Sequence, residues 1–305
     1  MTTTQIHDPG AGPGRPVLIA DDADEPFNLH DQGLQADVAT LMDRRRVLQL
    51  LGLTGVAVTL AACAPGSSAA ATASAVASAA SSASTASSST AAAACAPVIP
   101  EETAGPFPGD GTNGPDVLTE SGVVRSDITT SFGASSGTAE GVPLTIRLLI
   151  QDENQACEPL ADAAVYLWHC DREGRYSLYS QGVEDQNYLR GVQTAGADGM
   201  VTFTSIFPAC YSGRWPHVHF EIYRSITAAA DAGNKIATSQ IALPKDICDQ
   251  VYATSGYEQS VSNLGQISLT SDMVFGDDGG EHQIGTISGT VADGLTVELA
   301  VPVNA

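Results

Sequence analysis

From Ala64 to Pro100 the chain carries no charged residue, and almost every position is Ala, Ser or Thr. No side chain in that run is large enough to offset, by burial, the entropy lost on ordering it. Alanine favours helix, but the interspersed Ser and Thr offer the backbone competing local hydrogen bonds. The run reads as a tether, and it leaves one domain's worth of sequence behind it, ample for a core. The expected boundaries are a disordered leading segment over 1–43, a signal over 44–63, an Ala/Ser-rich linker over 64–98 and a folded domain over 99–305.

The part ahead of the tether has the order of an export signal. Asp43-Arg44-Arg45-Arg46-Val47-Leu48 precedes an uncharged apolar run that ends at Ala62, and Cys63 follows. That run is too short for an ordinary spanning helix. The paired arginines before Val-Leu resemble a twin-arginine signal. Leu60-Ala61-Ala62-Cys63 resembles a bacterial lipobox, in which Cys63 becomes the acylated N-terminus. The expectation is an exported, extracytoplasmic lipoprotein that meets the membrane through its lipid anchor alone. Met1 and Met42 are both possible starts.

Charge agrees with that setting. The chain has 13 Lys+Arg against 35 Asp+Glu, a net charge of −22, which speaks against nucleic acid and anionic membrane surfaces as partners. Outside the cytoplasm disulfides are permitted. Beyond Cys63 the cysteines are Cys95, Cys157, Cys170, Cys210 and Cys248, an odd number, so at least one is unpaired within the chain.

The domain reads as all-β, a single β-sandwich. Strands are expected at Pro143–Ile150, Ala164–Trp168, Met200–Thr204, His217–Tyr223 and Ile236–Leu243. A closing hairpin over Ile284–Val291 and Leu295–Val303 turns at Asp293-Gly294. Ser225–Gly233 and Lys245–Ala253 are candidates for single short helices. Short strands punctuated by Gly and Pro fit a sandwich. There is no tandem repeat, phosphate-binding Gly loop or nucleophile elbow.

His217-Val218-His219 lies on one of these strands, and the two-residue period puts both imidazoles on one face, with Cα atoms about 6.6 Å apart. The pair alone is a weak metal signal. A cupin-like site does not fit, because the next acid, Glu221, follows by only two residues. The neighbourhood supplies two phenols and a cation: Tyr211 and Arg214 lead into the pair, and Tyr176 follows the Trp168 strand. Phenolate is a hard, strongly donating anion suited to Fe(III), and imidazole serves most transition metals. Each tyrosine taken singly is more often a core or corner residue of a sandwich.

Several separated blocks, in order, resemble the intradiol ring-cleaving dioxygenases. They are Glu102-Thr103-Ala104-Gly105-Pro106-Phe107, Trp168 with Gly174 and Tyr176, Tyr188-Leu189-Arg190-Gly191-Val192-Gln193, and Tyr211, Arg214, His217 and His219. The likeness runs from about Pro100 to Thr254 and is strongest to the exported bacterial branch. It implies one non-haem Fe(III) per chain held by Tyr176, Tyr211, His217 and His219. It also implies that Tyr211 leaves the metal to act as a base, and that Arg214 stabilises negative charge developing after O2 attack. The implied reaction cleaves a small aromatic diol between its hydroxyls with O2, giving a cis,cis-muconate-type product. Substrate contacts are expected from Thr103, Pro106, Phe107, Arg190, Gln193 and Arg214. Where the family has a glycine-containing turn before its second tyrosine, this chain has Pro208-Ala209-Cys210-Tyr211. A bridge from Cys210 to Cys248 is the expected staple, with Cys95–Cys157 a second pair of the same kind. No helical dimerisation domain precedes the sandwich, so the family's dimer is not implied.

Two other readings compete. A surface-tethered, non-catalytic sandwich that binds ligands has the same tether and fold. A zinc hydrolase using the His pair needs a third His or carboxylate ligand and an open water position.

Overall fold

The computed structural model describes residues 96–305. The leading segment, the signal with Cys63, and the tether as far as Cys95 lie outside the described residues.

The strands in chain order are β1 (Pro143–Asp152), β2 (Glu158–Pro159), β3 (Ala164–Trp168), β4 (Arg190–Thr194), β5 (Met200–Ile206), β6 (His217–Tyr223), β7 (Lys235–Ala242), β8 (Thr286–Thr290) and β9 (Gly294–Val303). They form two sheets. In the first, β1 pairs antiparallel with β2 and β5 and parallel with β9, whose far edge carries β8. The second runs β4-β3-β6-β7, antiparallel throughout.

Burial along β1 alternates because Leu144, Ile146, Leu148 and Ile150 share one face. They meet Val201 and Phe203 of β5 and Val297 and Val301 of β9, and pack against Val165, Leu167, Val218, Phe220 and Ile222 of the second sheet. Each such side chain contributes roughly 1.5–3 kcal/mol on burial. The opposite face of the second sheet is also covered, which is why all seven residues of β6 are buried. Its cover is the segment entering from the tether, whose Phe107, Val117, Leu118 and Val123 cluster with Tyr166, Trp168 and Tyr176. That strap starts on the first sheet, where Ile99 N donates to Pro302 O at 2.9 Å. It reaches the second at β7, where Glu102 N donates to Thr238 O at 2.7 Å. The edge strand is thereby capped.

The expected strands are present with ends shifted by a few residues, and the closing hairpin turns at Gly294, held at φ +100. Helix α1 (Lys245–Tyr252) lies where a short helix was expected. Ser225–Gly233 instead makes two single 3-10 turns, Ala228–Ala230 and Ala232–Asn234. Asp231 between them is extended, and its carboxylate accepts from Gly233 N. Helix α2 (Glu258–Leu264) and strand β4 were not anticipated. The domain is therefore mostly β, sandwich-like, with two short helices. No helix among the described residues is long and apolar enough to cross a membrane.

His169, just after β3, is buried, with Nδ1 2.8 Å from Cys170 O and Nε2 2.7 Å from Ser205 Oγ. Burial lowers its pKa to about 4. The unfolded chain takes up that proton near its ordinary value of about 6.5, so the stability tied to neutral His169 is intact above that value and is lost as pH falls toward the folded pKa. Urea unfolding at pH 7.5 and pH 4.5 should show a loss of about 2–3 kcal/mol in the parent that is absent in His169→Gln. An equal loss in both proteins would assign the acid sensitivity to carboxylates elsewhere.

Candidate metal centre

Strand β6 presents His217 and His219 toward the strap. The loop after β3 brings Tyr176 back over them, and the loop from β5 to β6 delivers Tyr211. Their polar atoms converge. His217 Nε2 lies 3.0 Å from His219 Nε2. Tyr176 Oη is 3.4 Å from the first nitrogen and 3.3 Å from the second, and Tyr211 Oη is 3.2 Å from His217 Nε2. Such separations are the edges of a polyhedron whose centre lies about 2 Å from each atom, the length of a bond from a transition metal to nitrogen or oxygen. The four residues expected as ligands are brought together.

Orientation is fixed differently for the two histidines. His217 Nδ1 donates to Trp215 O at 2.5 Å, which selects the tautomer and leaves the Nε2 lone pair facing the centre. His219 is held by stacking: its ring is parallel to Trp168 within 3° at 4.9 Å, and Trp168 in turn stacks on Tyr166 at 5.0 Å. His219 Nδ1 and Trp168 Nε1 have no hydrogen-bond partner among the described residues.

Burial pushes both imidazoles well below their ordinary pKa, His217 with help from the Arg214 charge and His219 from His217 and Arg214. Both are therefore neutral and able to donate. Burial, then the adjacent Tyr211, raises the Tyr176 phenol well above its usual value, and Arg214 opposes the rise. A strongly charged cation at the centre is what would favour a phenolate there. Among the described residues no three His, Cys, Asp or Glu side chains gather as a metal site, so the zinc-hydrolase arrangement is not built here.

The loop bearing Tyr211 is braced from the C-terminal side. Tyr257 Oη donates to Phe207 O at 2.7 Å and Tyr252 Oη to Pro208 O at 3.0 Å. Cys210 N donates to Ser260 Oγ at 3.0 Å, and Asn263 Nδ2 donates to Cys210 O at 2.8 Å. The expected Cys210–Cys248 bridge is absent. Both are buried free thiols, and Cys210 Sγ faces Arg214 O while Cys248 Sγ faces Leu243 O. The two helices already hold this loop through polar contacts. Cys157 is disulfide-bonded; since the other described cysteines are free, its partner lies outside the described residues, as Cys95 does.

The expected substrate residues divide. Phe107 packs its ring 5.0 Å from that of Tyr176, and Thr103 and Pro106 lie on the same strap. Arg214 is buried beside the donors, its Nη2 donating to Gln240 Oε1 at 2.6 Å. Arg190 does not fit a substrate-reading role. Its Nε donates to Ser177 Oγ, Nη1 to Pro108 O and Tyr166 Oη, and Nη2 to Phe107 O and Ser177 O. All five donors are engaged by the protein, so Arg190 clamps the strap to the sheet. Gln193 is also displaced from the site: it pairs with Val165, whose side chain belongs to the core between the sheets, on the face away from the histidines.

Gln240 and Asp272 were not singled out from the sequence. Gln240 sits directly opposite His219 in the β6–β7 register. Its signal was weak, since Gln240 is one of a run of three polar residues, Thr238, Ser239 and Gln240, in the strand. Asp272 lies in an irregular segment with no local pattern to mark it.

The dioxygenase family model matches residues 113–239, a span that contains Tyr176, Tyr211, His217 and His219. The chain is similar to an intradiol ring-cleavage dioxygenase from Tetranychus urticae, with 27% identity and a TM-score of 0.55, covering 69% of this chain and 95% of that one. It is also similar to the chlorocatechol 1,2-dioxygenase of Rhodococcus opacus, 38% identical over 53 residues. That match covers 17% of this chain and 21% of the other protein, so it spans about a fifth of the curated relative.

Two outcomes follow from this geometry. Arg190→Ala should destabilise the domain by about 3 kcal/mol or more, since it orphans buried acceptors and frees the strap; denaturant unfolding and proteolysis between residues 100 and 118 would measure it. Thiol titration in denaturant should return three groups from residues 96–305, Cys170, Cys210 and Cys248; a Cys210–Cys248 bridge would leave one.

Proposed function

We propose that this intradiol ring-cleavage dioxygenase-like domain binds one non-haem ferric ion through Tyr176, Tyr211, His217 and His219 and cleaves an aromatic diol with O2. The observation that carries the reading is the convergence of two phenol oxygens and two imidazole nitrogens, in which Tyr176 Oη, Tyr211 Oη and His219 Nε2 all lie 3.0–3.4 Å from His217 Nε2 and Tyr176 Oη lies 3.3 Å from His219 Nε2. Two neutral nitrogens with two phenols that can ionise to hard phenolates suit a hard, highly charged ion better than a divalent one. When bound, ferric ion would be chelated by the diol and draw electron density from it, making the ring reactive to O2.

The protein's own groups would do the rest. Trp168 and the Trp215 carbonyl hold the imidazoles in place, and Phe107 with the strap keeps water from the buried side. Tyr211 is the half-buried donor. It borders a cleft of about 290 Å³ that it shares with Glu173, Gln259, Ser260 and Asn263. With this more open ring, Tyr211 would be the donor to yield its position, its phenolate oxygen accepting a proton from an entering hydroxyl. Arg214 supplies directed N–H groups where negative charge grows. Insertion of both atoms of O2 across the bond between the hydroxyl-bearing carbons gives a dicarboxylic, muconate-type product, so the reaction balances without an outside reductant. We further propose export and anchoring through Cys63, on the strength of the twin-arginine-like and lipobox-like segments; a Cys63→Ser protein found unchanged in the membrane fraction would reject the anchor.

The test is optical and chemical. The purified protein should be coloured by phenolate-to-iron charge transfer, bleach when a chelator removes the ion, and recover with iron. Tyr176→Phe should shift or abolish the band, and His217→Ala should lower iron content, with the fold retained by circular dichroism. Oxygen uptake with a diol should yield one muconate-type product per O2. A colourless iron-free protein, or two variants with full iron and the parent spectrum, would reject the site. A coloured protein that consumes no oxygen with any diol would favour the ligand-binding module.

A further inference from the structure

Asp272 is fully buried in the segment after α2, in a part of the chain beyond the residues matched by the family model. Its Oδ2 accepts from Arg214 Nε at 3.0 Å and from Trp215 N at 2.6 Å. Its Oδ1 accepts from Val274 N at 2.8 Å and Phe275 N at 3.1 Å. The Phe275 ring lies beneath the guanidinium, 6.0 Å from its carbon. On the other side Arg214 Nη2 donates to Gln240 Oε1, and Gln240 Nε2 donates to Thr103 O at 2.8 Å. The guanidinium is thus gripped at two of its nitrogens, which fixes the plane of the fork.

The same contact cancels charge. Arg214 and Asp272 are 1% and 0% exposed, so water screens neither, and together they form a neutral pair. The other buried guanidinium beside the site, Arg190, has all its donors on protein acceptors. Arg172 and Arg175, on the Tyr176 loop, are paired with Glu140, Asp171 and Glu173. A ring carboxylate brought in with the diol would therefore meet no uncompensated arginine among these four, within a chain of net charge −22. Desolvating an anion without a counter-ion is costly.

We propose that Asp272 is a positioning residue that also sets the substrate class: by orienting and neutralising Arg214 it fits the site to an uncharged aromatic diol and against one bearing a ring carboxylate. The inference rests on the ferric dioxygenase reading given above. Asp272 acts through Arg214 and does not itself meet substrate.

The experiment compares 1,2-dihydroxybenzene with 3,4-dihydroxybenzoate on the iron-loaded protein. Anaerobic titration of the visible band gives Kd, and oxygen uptake gives kcat. The parent should bind the uncharged diol about 100-fold more tightly, the fold-change expected for burying a charge without its partner. Asp272→Asn should leave Kd for the uncharged diol within about threefold and lower its kcat about tenfold or more, because the fork is no longer held. It should also tighten the carboxylated diol about tenfold, because Arg214 is then uncompensated. Asp272→Glu restores the charge but not the geometry, so discrimination should return while kcat stays low. A merely structural role predicts equal loss for both diols, and that result overturns the proposal, as does a parent that binds both diols alike.

A second readout needs neither iron nor turnover. In the metal-free protein the Arg214 Nε proton should exchange slowly with solvent in the parent and rapidly in Asp272→Asn. Rapid exchange in the parent overturns the clamp. No colour and no oxygen uptake with any diol rejects the dioxygenase reading and the substrate-class half of the inference with it. Slow exchange in that same protein would show that the clamp itself is not what failed.

Discussion

Strand β6 has no solvent-facing side, and the site depends on that constraint. Its odd-numbered residues His217, His219, Glu221 and Tyr223 face the strap, and Val218, Phe220 and Ile222 face the core between the sheets. A slip of one residue in register would bury two imidazoles among aliphatic side chains and turn Phe220 toward the strap, so the core itself enforces the placement of the donors. Register then selects their neighbours. Trp168 lies across from His219 on β3 and Gln240 across from it on β7. One row of three strands therefore supplies the stacking partner, the proposed ligand and the group that touches Arg214.

Sequence patterns revealed what repeats or clusters locally. The H-x-H pair on a strand was visible, as were Tyr211 in the loop leading into it, Tyr176 after the Trp168 strand, and the sandwich implied by short strands punctuated by Gly and Pro. The unforeseen parts depend on partners remote in the chain. Arg190 was expected as a substrate contact because it lies in one of the blocks that resemble the dioxygenases. Only the fold reveals that Phe107, Pro108, Tyr166 and Ser177 consume its donors. Cys210 and Cys248 looked like a staple between the Tyr211 loop and the segment after the His strand, in a chain expected to fold where disulfides are permitted. They do share one core cluster, but as packed thiols, and the bracing falls to Tyr252, Tyr257, Ser260 and Asn263.

The domain spends much of its irregular sequence on fixing this one face. The strap brings Thr103 and Phe107 in from the N-terminal side, locked by Arg190 and by Gln240. The segment after β7 brings Ser260, Asn263 and Asp272 from the C-terminal side. Tyr176 and Tyr211 reside on loops between strands, yet each loop is fixed by contacts outside itself. This is the usual division in a sandwich, with the sheets giving rigidity and the loops giving chemistry. Here hydrogen bonds from the strap, the helices and the segment after them tie the loops in place.

That bracing has an energetic logic. Three donor atoms gathered 3.0–3.4 Å around His217 Nε2 leave the phenols and imidazoles competing for few protons in a site largely shut away from water. Burial keeps His217 and His219 neutral and Tyr176 protonated, so the protein alone holds the donors in position without letting them form strong charge-assisted bonds with each other. The stabilisation forgone by the protein is available to a cation that accepts all four. Such a site gains affinity because its ligands need not be gathered at the moment of binding. Tyr211 is the exception, since its half-buried ring borders the cleft lined by Glu173 and Asn263. Three donors are fixed by packing on every side, and the fourth is fixed at its backbone while its ring keeps an open flank. In the proposed ligand set, that arrangement would let one member exchange without disturbing the other three.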